Sequence, residues 1–112
     1  MDFVEGKTVG IDLGTSYSAI ARLDDEGAAT ILENGQGRLI TPSIVILGEE
    51  GKVIVGPSQE RVAEEEPDRV ISAIKREMGN PSFELFHEGR RLTPELISSM
   101  ILTKLRQDAE EH

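Results

Sequence analysis

Cysteine is absent from the 112 residues, which excludes a disulfide framework, a zinc knuckle and thiol chemistry. No apolar run approaches the roughly 20 residues that a membrane-spanning helix needs. Residues 1–7 also lack the basic stretch and apolar core of a secretory signal. A chain without cysteine is compatible with a reducing compartment, and we therefore expect a soluble, cytoplasmic protein.

Basic residues are scarce, with 12 Lys and Arg against 21 Asp and Glu and a formal net charge of −9. This balance disfavours a broad surface for nucleic acid or for an anionic membrane. The acidic clusters are scattered, and we interpret them as solvated loops and helix faces rather than metal sites. A chain of this length holds one domain with a modest core and is too short for a two-lobed enzyme.

The two best-known glycine-rich phosphate motifs are missing as well. No Gly-x-x-x-x-Gly-Lys-Ser/Thr occurs, and Gly35-Gln36-Gly37 is not completed to Gly-x-Gly-x-x-Gly. The chain instead contains the stretch from Val9 to Ala21, an apolar strand that ends at Asp12, turns at Gly14 and returns as a second strand.

The turn in this stretch combines a glycine with three hydroxyl side chains, Thr15, Ser16 and Ser18. Backbone N–H groups and neutral hydroxyls that converge in a concave loop suit a phosphate. Asp12 would approach the same phosphates only through a metal, because carboxylate and phosphate repel each other and Mg²⁺ keeps much of its water shell. On these residues alone, an ordinary hairpin explains the turn equally well.

The apolar pattern predicts three antiparallel strands in a meander, the third at Ala28 to Leu32, followed by a second hairpin. That hairpin pairs Ser43 to Leu47 with Lys52 to Val55 across a glycine-containing turn. A third, short hairpin is predicted about Gly89, with His87 as a surface residue rather than a ligand.

Three helices are predicted. The first has Pro57 in its first turn and is closed by Pro67, and the third runs from the N-cap Thr93 to about Glu110. The second spans Arg69 to Met78, with Asp68 as N-cap, Gly79 as the stop and apolar side chains on one arc, namely Val70, Ile71, Ile74 and Met78. Lys75 falls beside that arc, at the boundary of core and solvent, and its spacing alone favours an ordinary lysine with a packed stem.

The third predicted helix is apolar over more than half of its circumference, which is typical of a helix covered on several sides. The chain supplies no closing element after it and leaves the first sheet unfinished. The sequence is therefore interpreted as a fragment of a longer protein. Self-association through the sheet edge or the last helix is expected.

The motifs together resemble the nucleotide-binding domain of the seventy-kilodalton heat-shock, DnaK-type chaperones. The opening Ile11-Asp12-Leu13-Gly14-Thr15-Ser16 is shared with actin and the sugar kinases. More specific stretches follow in the order and spacing of the chaperones, over residues 8 to 111: Glu33-Asn34-Gly35-Gln36-Gly37, Thr41-Pro42-Ser43-Ile44, Val55-Gly56 and Ala73-Ile74-Lys75-Arg76 with Gly79. Ser16 replaces a common threonine, and the segment from Gly79 to Thr93 is short, which suggests a divergent short-loop branch.

The resemblance implies an α/β fold, an incomplete ribonuclease-H-like first lobe of an actin-like ATPase. Residues 1–112 would form the truncated N-terminal part of that domain, within subdomains IA and IB. It also implies that the turn at Gly14, with Thr15, Ser16 and Tyr17, lines the phosphates of ATP or ADP. Asp12 would face Mg²⁺ through water and help to site K⁺. Lys75 would reach the γ-phosphate and position the attacking water.

By the same resemblance, the full-length parent is an ATP-hydrolysing heat-shock chaperone of the stress response. Its nucleotide state would control the binding of unfolded client peptides, with co-chaperones as further partners. This fragment is expected to be inactive as an ATPase and weak in nucleotide affinity. Two alternatives stay open: a fragment of a sugar-kinase-like ATPase, and an interaction scaffold that binds no nucleotide.

Overall fold

The computed structural model describes residues 8–111, and its first sheet is built on one long hairpin. Strands β1 (Val9–Leu13) and β2 (Tyr17–Leu23) pair antiparallel, with Asp12 opposite Ala19. Strand β3 (Ala29–Ile31) pairs with the second half of β2, and the short strand β4 (Thr41–Pro42) pairs with its beginning. The predicted three-stranded meander is confirmed.

The second sheet has β5 (Ile44–Leu47) at its centre, between β6 (Val53–Val55) and β7 (Val70–Ser72). The β5–β6 hairpin confirms the prediction. A separate two-stranded ribbon of β8 (Phe86–His87) and β9 (Arg90–Arg91) confirms the short hairpin about Gly89. All pairings within the described range are antiparallel.

The two α-helices begin at hydroxyl N-caps. Helix α1 (Gln59–Glu64) is capped by Ser58, whose Oγ accepts a hydrogen bond from the Arg61 amide, so Pro57 precedes the cap. Helix α2 (Pro94–Glu110) is capped by Thr93, whose Oγ1 accepts from the Leu96 amide. A side chain that accepts an otherwise unpaired amide explains both start points, and α2 confirms the prediction closely.

The predicted helix from Arg69 to Met78 is wrong, and so is the total of three α-helices. This segment contains a 3₁₀ helix (Pro67–Arg69), strand β7 and a second 3₁₀ helix (Ile74–Glu77), which Gly79 follows with φ of +79°. Asp68 lies inside the first of these 3₁₀ helices rather than capping a longer one. The β-branched pair Val70 and Ile71 is drawn into the sheet because the β5 edge offers them backbone partners.

One continuous core joins both sheets to α2. The α2 side chains Ile97, Ile101 and Leu105 are all 1% exposed or less and share one face at a spacing of four residues. They pack with buried side chains of β2, β5, the second 3₁₀ helix and the loop before α2, namely Ile20, Val45, Leu47, Ile74 and Leu92. Leu102 lies off this face and is 37% exposed, so α2 is fully covered along one stripe only. No helix between residues 8 and 111 is both long and apolar enough to span a membrane.

The stripe on α2 predicts a sharp contrast between neighbouring positions. Replacing Ile101 with Ala leaves a cavity at a fully buried site and is expected to lower the free energy of unfolding by about 2–5 kcal/mol. Leu102→Ala serves as the matched control and is expected to cost less than about 1.5 kcal/mol, because that side chain is already partly in water. Urea unfolding of both variants measures the difference, and equal losses would contradict this packing.

A carboxylate joins two of the hairpin turns. The oxygens of Glu88 accept the backbone amides of Glu50 and Gly51 at 3.0 and 3.1 Å. These two bonds, with smaller contributions from His87 and Arg69, hold the pKa of Glu88 below its ordinary value. Because the folded-state pKa is depressed, this carboxylate stabilises the fold above its unfolded-state pKa, and the contribution is lost as pH falls through the folded-state value.

We therefore expect Glu88→Gln to melt below the wild-type chain at neutral pH, with the gap closing as the pH is taken below the ordinary carboxyl pKa. The control is Glu84→Gln, which removes the same charge from another exposed position. Thermal melts followed by circular dichroism across this pH range test the idea. A gap that stays constant with pH would refute it.

Candidate functional site

The hydroxyl-bearing turn lies between β1 and β2 and occupies residues 14–16. A side chain at Gly14 would run into the backbone oxygen of Tyr17, so the tight return of the chain requires glycine there. Thr15 is half-buried, whereas Ser16 and Tyr17 are exposed. The turn is therefore closed towards the protein and open towards solvent.

Ser43, the residue that follows β4, is hydrogen-bonded to this turn and to the start of β2. The Ser43 amide donates to the Ser16 carbonyl at 2.9 Å. Beside it the Oγ atoms of Ser18 and Ser43 are 2.8 Å apart, and the two residues are 1% and 2% exposed. Strand β4 pairs with the start of β2 in the same place, with Ser18 opposite Thr41.

A cleft of about 420 Å³ opens above the turn and separates the first sheet from α1 and the second 3₁₀ helix. Its described lining comes from five places in the chain: Thr15, Ser16 and Tyr17; Pro42, Ser43 and Ile44; Pro57, Gln59 and Val62; Ser72 and Ala73; and Arg76. Three of the predicted phosphate-binding residues therefore line this cleft. None of these lining residues is a carboxylate, and Arg76 is the one cation among them.

Asp12 is exposed and lies on β1 opposite Ala19. Side chains alternate along a strand, so Asp12 shares a sheet face with Ala19 and with Tyr17, which lines the cleft. The Asp12 carboxylate itself is outside the cleft lining. Within residues 8–111 there is no group of three or more His, Cys, Asp or Glu side chains that could hold a metal ion. A cation at Asp12 would need water and phosphate oxygens to complete its shell.

Lys75 is exposed on the second 3₁₀ helix and is not among the cleft-lining residues, whereas Ala73 and Arg76 are. Neighbouring residues of a 3₁₀ helix lie a third of a turn apart, so the side chains of Lys75 and Arg76 leave this helix in different directions. The structure thus places Lys75 on the helix that borders the cleft, whereas Arg76, which is also exposed, lines it.

A larger groove of about 670 Å³ has a different character. It runs between the first sheet and α2, and its described lining is mostly apolar: Val9, Ile11, Ile20, Leu32, Leu102 and Ala109, with Thr103, Arg22, Arg106 and Glu110 as the polar members. This lining suits the packing of apolar side chains better than a phosphate. His87 lines neither of these two cavities. Its Nε2 is instead 2.6 Å from the Gly48 carbonyl oxygen.

Sequence reasoning missed several residues of the cleft, above all Arg76, Gln59 and Ser72. They are supplied by separate elements, and only the packing of the second sheet and α1 against the turn brings them together. Arg76 and Ser43 did belong to stretches that carried the family resemblance, so a signal existed for these two. No signal of spacing or composition pointed to Gln59 or Ser72.

Comparison with known families agrees with this arrangement. The family model described as Hsp70 protein matches residues 8–84, which is more than two thirds of the chain. The matched range contains the turn, both larger sheets, α1, the second 3₁₀ helix and every described residue that lines the cleft. The chain belongs to the Hsp70 family.

Proposed function

We propose that this chain supplies part of the ATP- and ADP-binding site of a DnaK-type chaperone, in its short-loop branch. In this proposal residues 1–112 are the N-terminal part of an actin-like ATPase domain, and the two antiparallel sheets belong to its ribonuclease-H-like first lobe. The family assignment favours this function over a sugar kinase.

The supporting observation is the charge of the cleft. The chain carries 21 acidic residues and a net charge of −9, yet no carboxylate is among the described residues that line the cleft. Thr15, Ser16 and Tyr17, each of which carries a hydroxyl, line a space that Arg76 also lines. In an acidic protein, a cavity that leaves out carboxylates is suited to an anion, because a like charge in its wall would repel it.

The donor set fits a nucleotide tail. Amide groups of the turn at Gly14 and the hydroxyls beside it would hold the β- and γ-phosphates. Asp12 would hold Mg²⁺ through water and help to site K⁺. Mg²⁺ supplies neutralisation of charge on the phosphates. Lys75 would extend from the second 3₁₀ helix to the γ-phosphate and the attacking water.

In the full-length protein, the nucleotide bound here would control the affinity for unfolded client peptides, and co-chaperones would act on that cycle. The chain by itself is expected to bind nucleotide weakly and to hydrolyse little ATP. Ser16 and Tyr17 are exposed, and an open phosphate site neither excludes water nor fixes the γ-phosphate.

The first test is thermal stability with and without Mg-ADP. A ligand that binds the folded state at about five times its Kd adds about 1 kcal/mol of stability, which raises the melting temperature of a chain of this size by about 4–8 °C. We expect this rise in the wild type and a rise at least halved in Arg76→Ala at the same concentration. Arg90→Ala, which removes the same charge from an exposed position outside the cleft, is expected to keep the full rise. If millimolar Mg-ADP does not raise the melting temperature of the wild type, the result favours an interaction scaffold that binds no nucleotide.

The second test separates Lys75 from Arg76. If Lys75 contacts only the γ-phosphate, Lys75→Ala should weaken ATP binding by about tenfold, the loss of one charge-assisted contact, and change ADP binding by less than about twofold. Arg76→Ala should weaken both. Calorimetric titrations with Mg-ATP and Mg-ADP measure the ratio, and Lys52→Ala, at an exposed turn, is the matched control. An unchanged ratio of the two affinities in Lys75→Ala would remove this lysine from the site.

A further inference from the structure

A set of buried hydrogen bonds lies beside the turn at residues 14–16, and one of its members, Ser43, also lines the cleft. Ser18 and Ser43 form its centre, with their Oγ atoms 2.8 Å apart and almost no exposure to solvent. Ser18 belongs to β2, which leaves the turn, and the Ser43 amide is bonded to the Ser16 carbonyl inside the turn. Each serine is thus one step from the predicted phosphate ligands without being one of them.

Asn34 holds β4 at Thr41, the residue opposite Ser18 in the strand pairing. Its Nδ2 donates to the Ile40 carbonyl and to the Thr41 Oγ1 at 3.1 and 3.0 Å. Its Oδ1 accepts the amides of Gln36 and Arg38, both at 2.9 Å. All of the amide's donor and acceptor groups are used within the 34–41 loop, and Asn34 is 7% exposed. This side chain therefore fixes where β4 meets β2.

The bond between Ser18 and Ser43 contributes more to geometry than to stability. A buried hydroxyl pair gives little net stability, and two apolar residues of the same shape can replace such a pair at almost no cost. What the pair does supply is direction, because a hydrogen bond fixes the separation and orientation of the two segments it joins. Here those segments are the return strand of the turn and the residue that bonds the turn's carbonyl.

We propose that Ser18 and Ser43, braced by Asn34, are positioning residues that hold the turn at Gly14 to Tyr17 in its phosphate-binding shape. The inference rests on the proposed function of the cleft. It adds to that function a set of residues that control affinity for the polyphosphate through the shape of the turn. A preorganised loop binds more tightly because it loses less conformational freedom when the ligand arrives.

The experiment compares the double variant Ser18→Ala/Ser43→Ala with Ser98→Ala in the complete 112-residue chain. Removing both hydroxyls leaves neither partner unsatisfied, so the double variant is expected to fold, with a melting temperature within about 4 °C of the wild type. Ser98 on α2 is an equally buried serine, 3% exposed, whose Oγ donates to the sulfur of Met78. Neither residue lines the cleft.

Two readouts are taken: affinity for Mg-ADP by calorimetry, and amide hydrogen exchange of the chain without any ligand. We expect the double variant to bind Mg-ADP about tenfold more weakly and to exchange faster than elsewhere at the amide of residue 43, which is bonded to the Ser16 carbonyl. Ser98→Ala should match the wild type in both. If the double variant does not fold, Asn34→Asp, which keeps the Oδ1 acceptor and loses the Nδ2 donor, is tested in the same way with the same expectation.

The ligand-free exchange separates this inference from the function on which it rests. If the wild-type chain binds no Mg-ADP but the double variant still exchanges faster only at the amide of residue 43, the nucleotide site is refuted and the positioning role stands. Unchanged exchange at this amide, or faster exchange spread evenly over both sheets, would overturn the positioning role. So would an unaltered affinity for Mg-ADP in a chain that does bind it.

Discussion

Strand β2 is hydrogen-bonded along both of its edges, with β1 on one side and β3 and β4 on the other. This double pairing determines the shape of the site. The turn at Gly14 leads directly into β2, and β4 pairs with the first two residues of β2, Tyr17 and Ser18. On its inner face β2 presents Ser18 and Ile20, which are both buried. Ile20 anchors the strand in the core and Ser18 joins it to Ser43. A strand fixed on two edges and one face has little freedom left to distort.

The polar residues around the site divide into two sets with different physical roles. Ser18, Ser43, Asn34 and Thr41 are each 7% exposed or less and bond to one another or to backbone. The hydroxyls of the turn instead reach solvent or the cleft. Buried polar groups that are all satisfied rigidify a structure, whereas exposed ones remain available to a ligand. The site thus combines a rigid support with an accessible surface.

The distribution of charge adds a second constraint. Most ion pairs in the described part of the chain lie on exposed helix faces and turns, such as Arg61 with Glu64 on α1 and Arg106 with Glu110 on α2. The pair of Lys104 and Asp108 on α2 is less exposed to solvent. The Lys104 Nζ and Asp108 Oδ2 atoms are 2.8 Å apart, and the side chains are 16% and 8% exposed. Asp108 lies where a side chain at Gly35 would meet it. This pair therefore lies against the loop that contains Asn34.

Local chemistry along the chain was enough to predict the meander, the second hairpin, the Gly89 hairpin and α2, because each is specified by alternation, turn residues or a cap within a few positions. The turn at Gly14 was predictable for the same reason. The segment from Arg69 to Met78 was not, since Val70 and Ile71 satisfy a helical arc and a strand equally well. The free edge of β5, about 25 residues earlier, decided between them. The cleft also required the tertiary structure, because Gln59, Ser72 and Arg76 meet the turn only through packing between separate elements, and no spacing in the sequence encodes that contact.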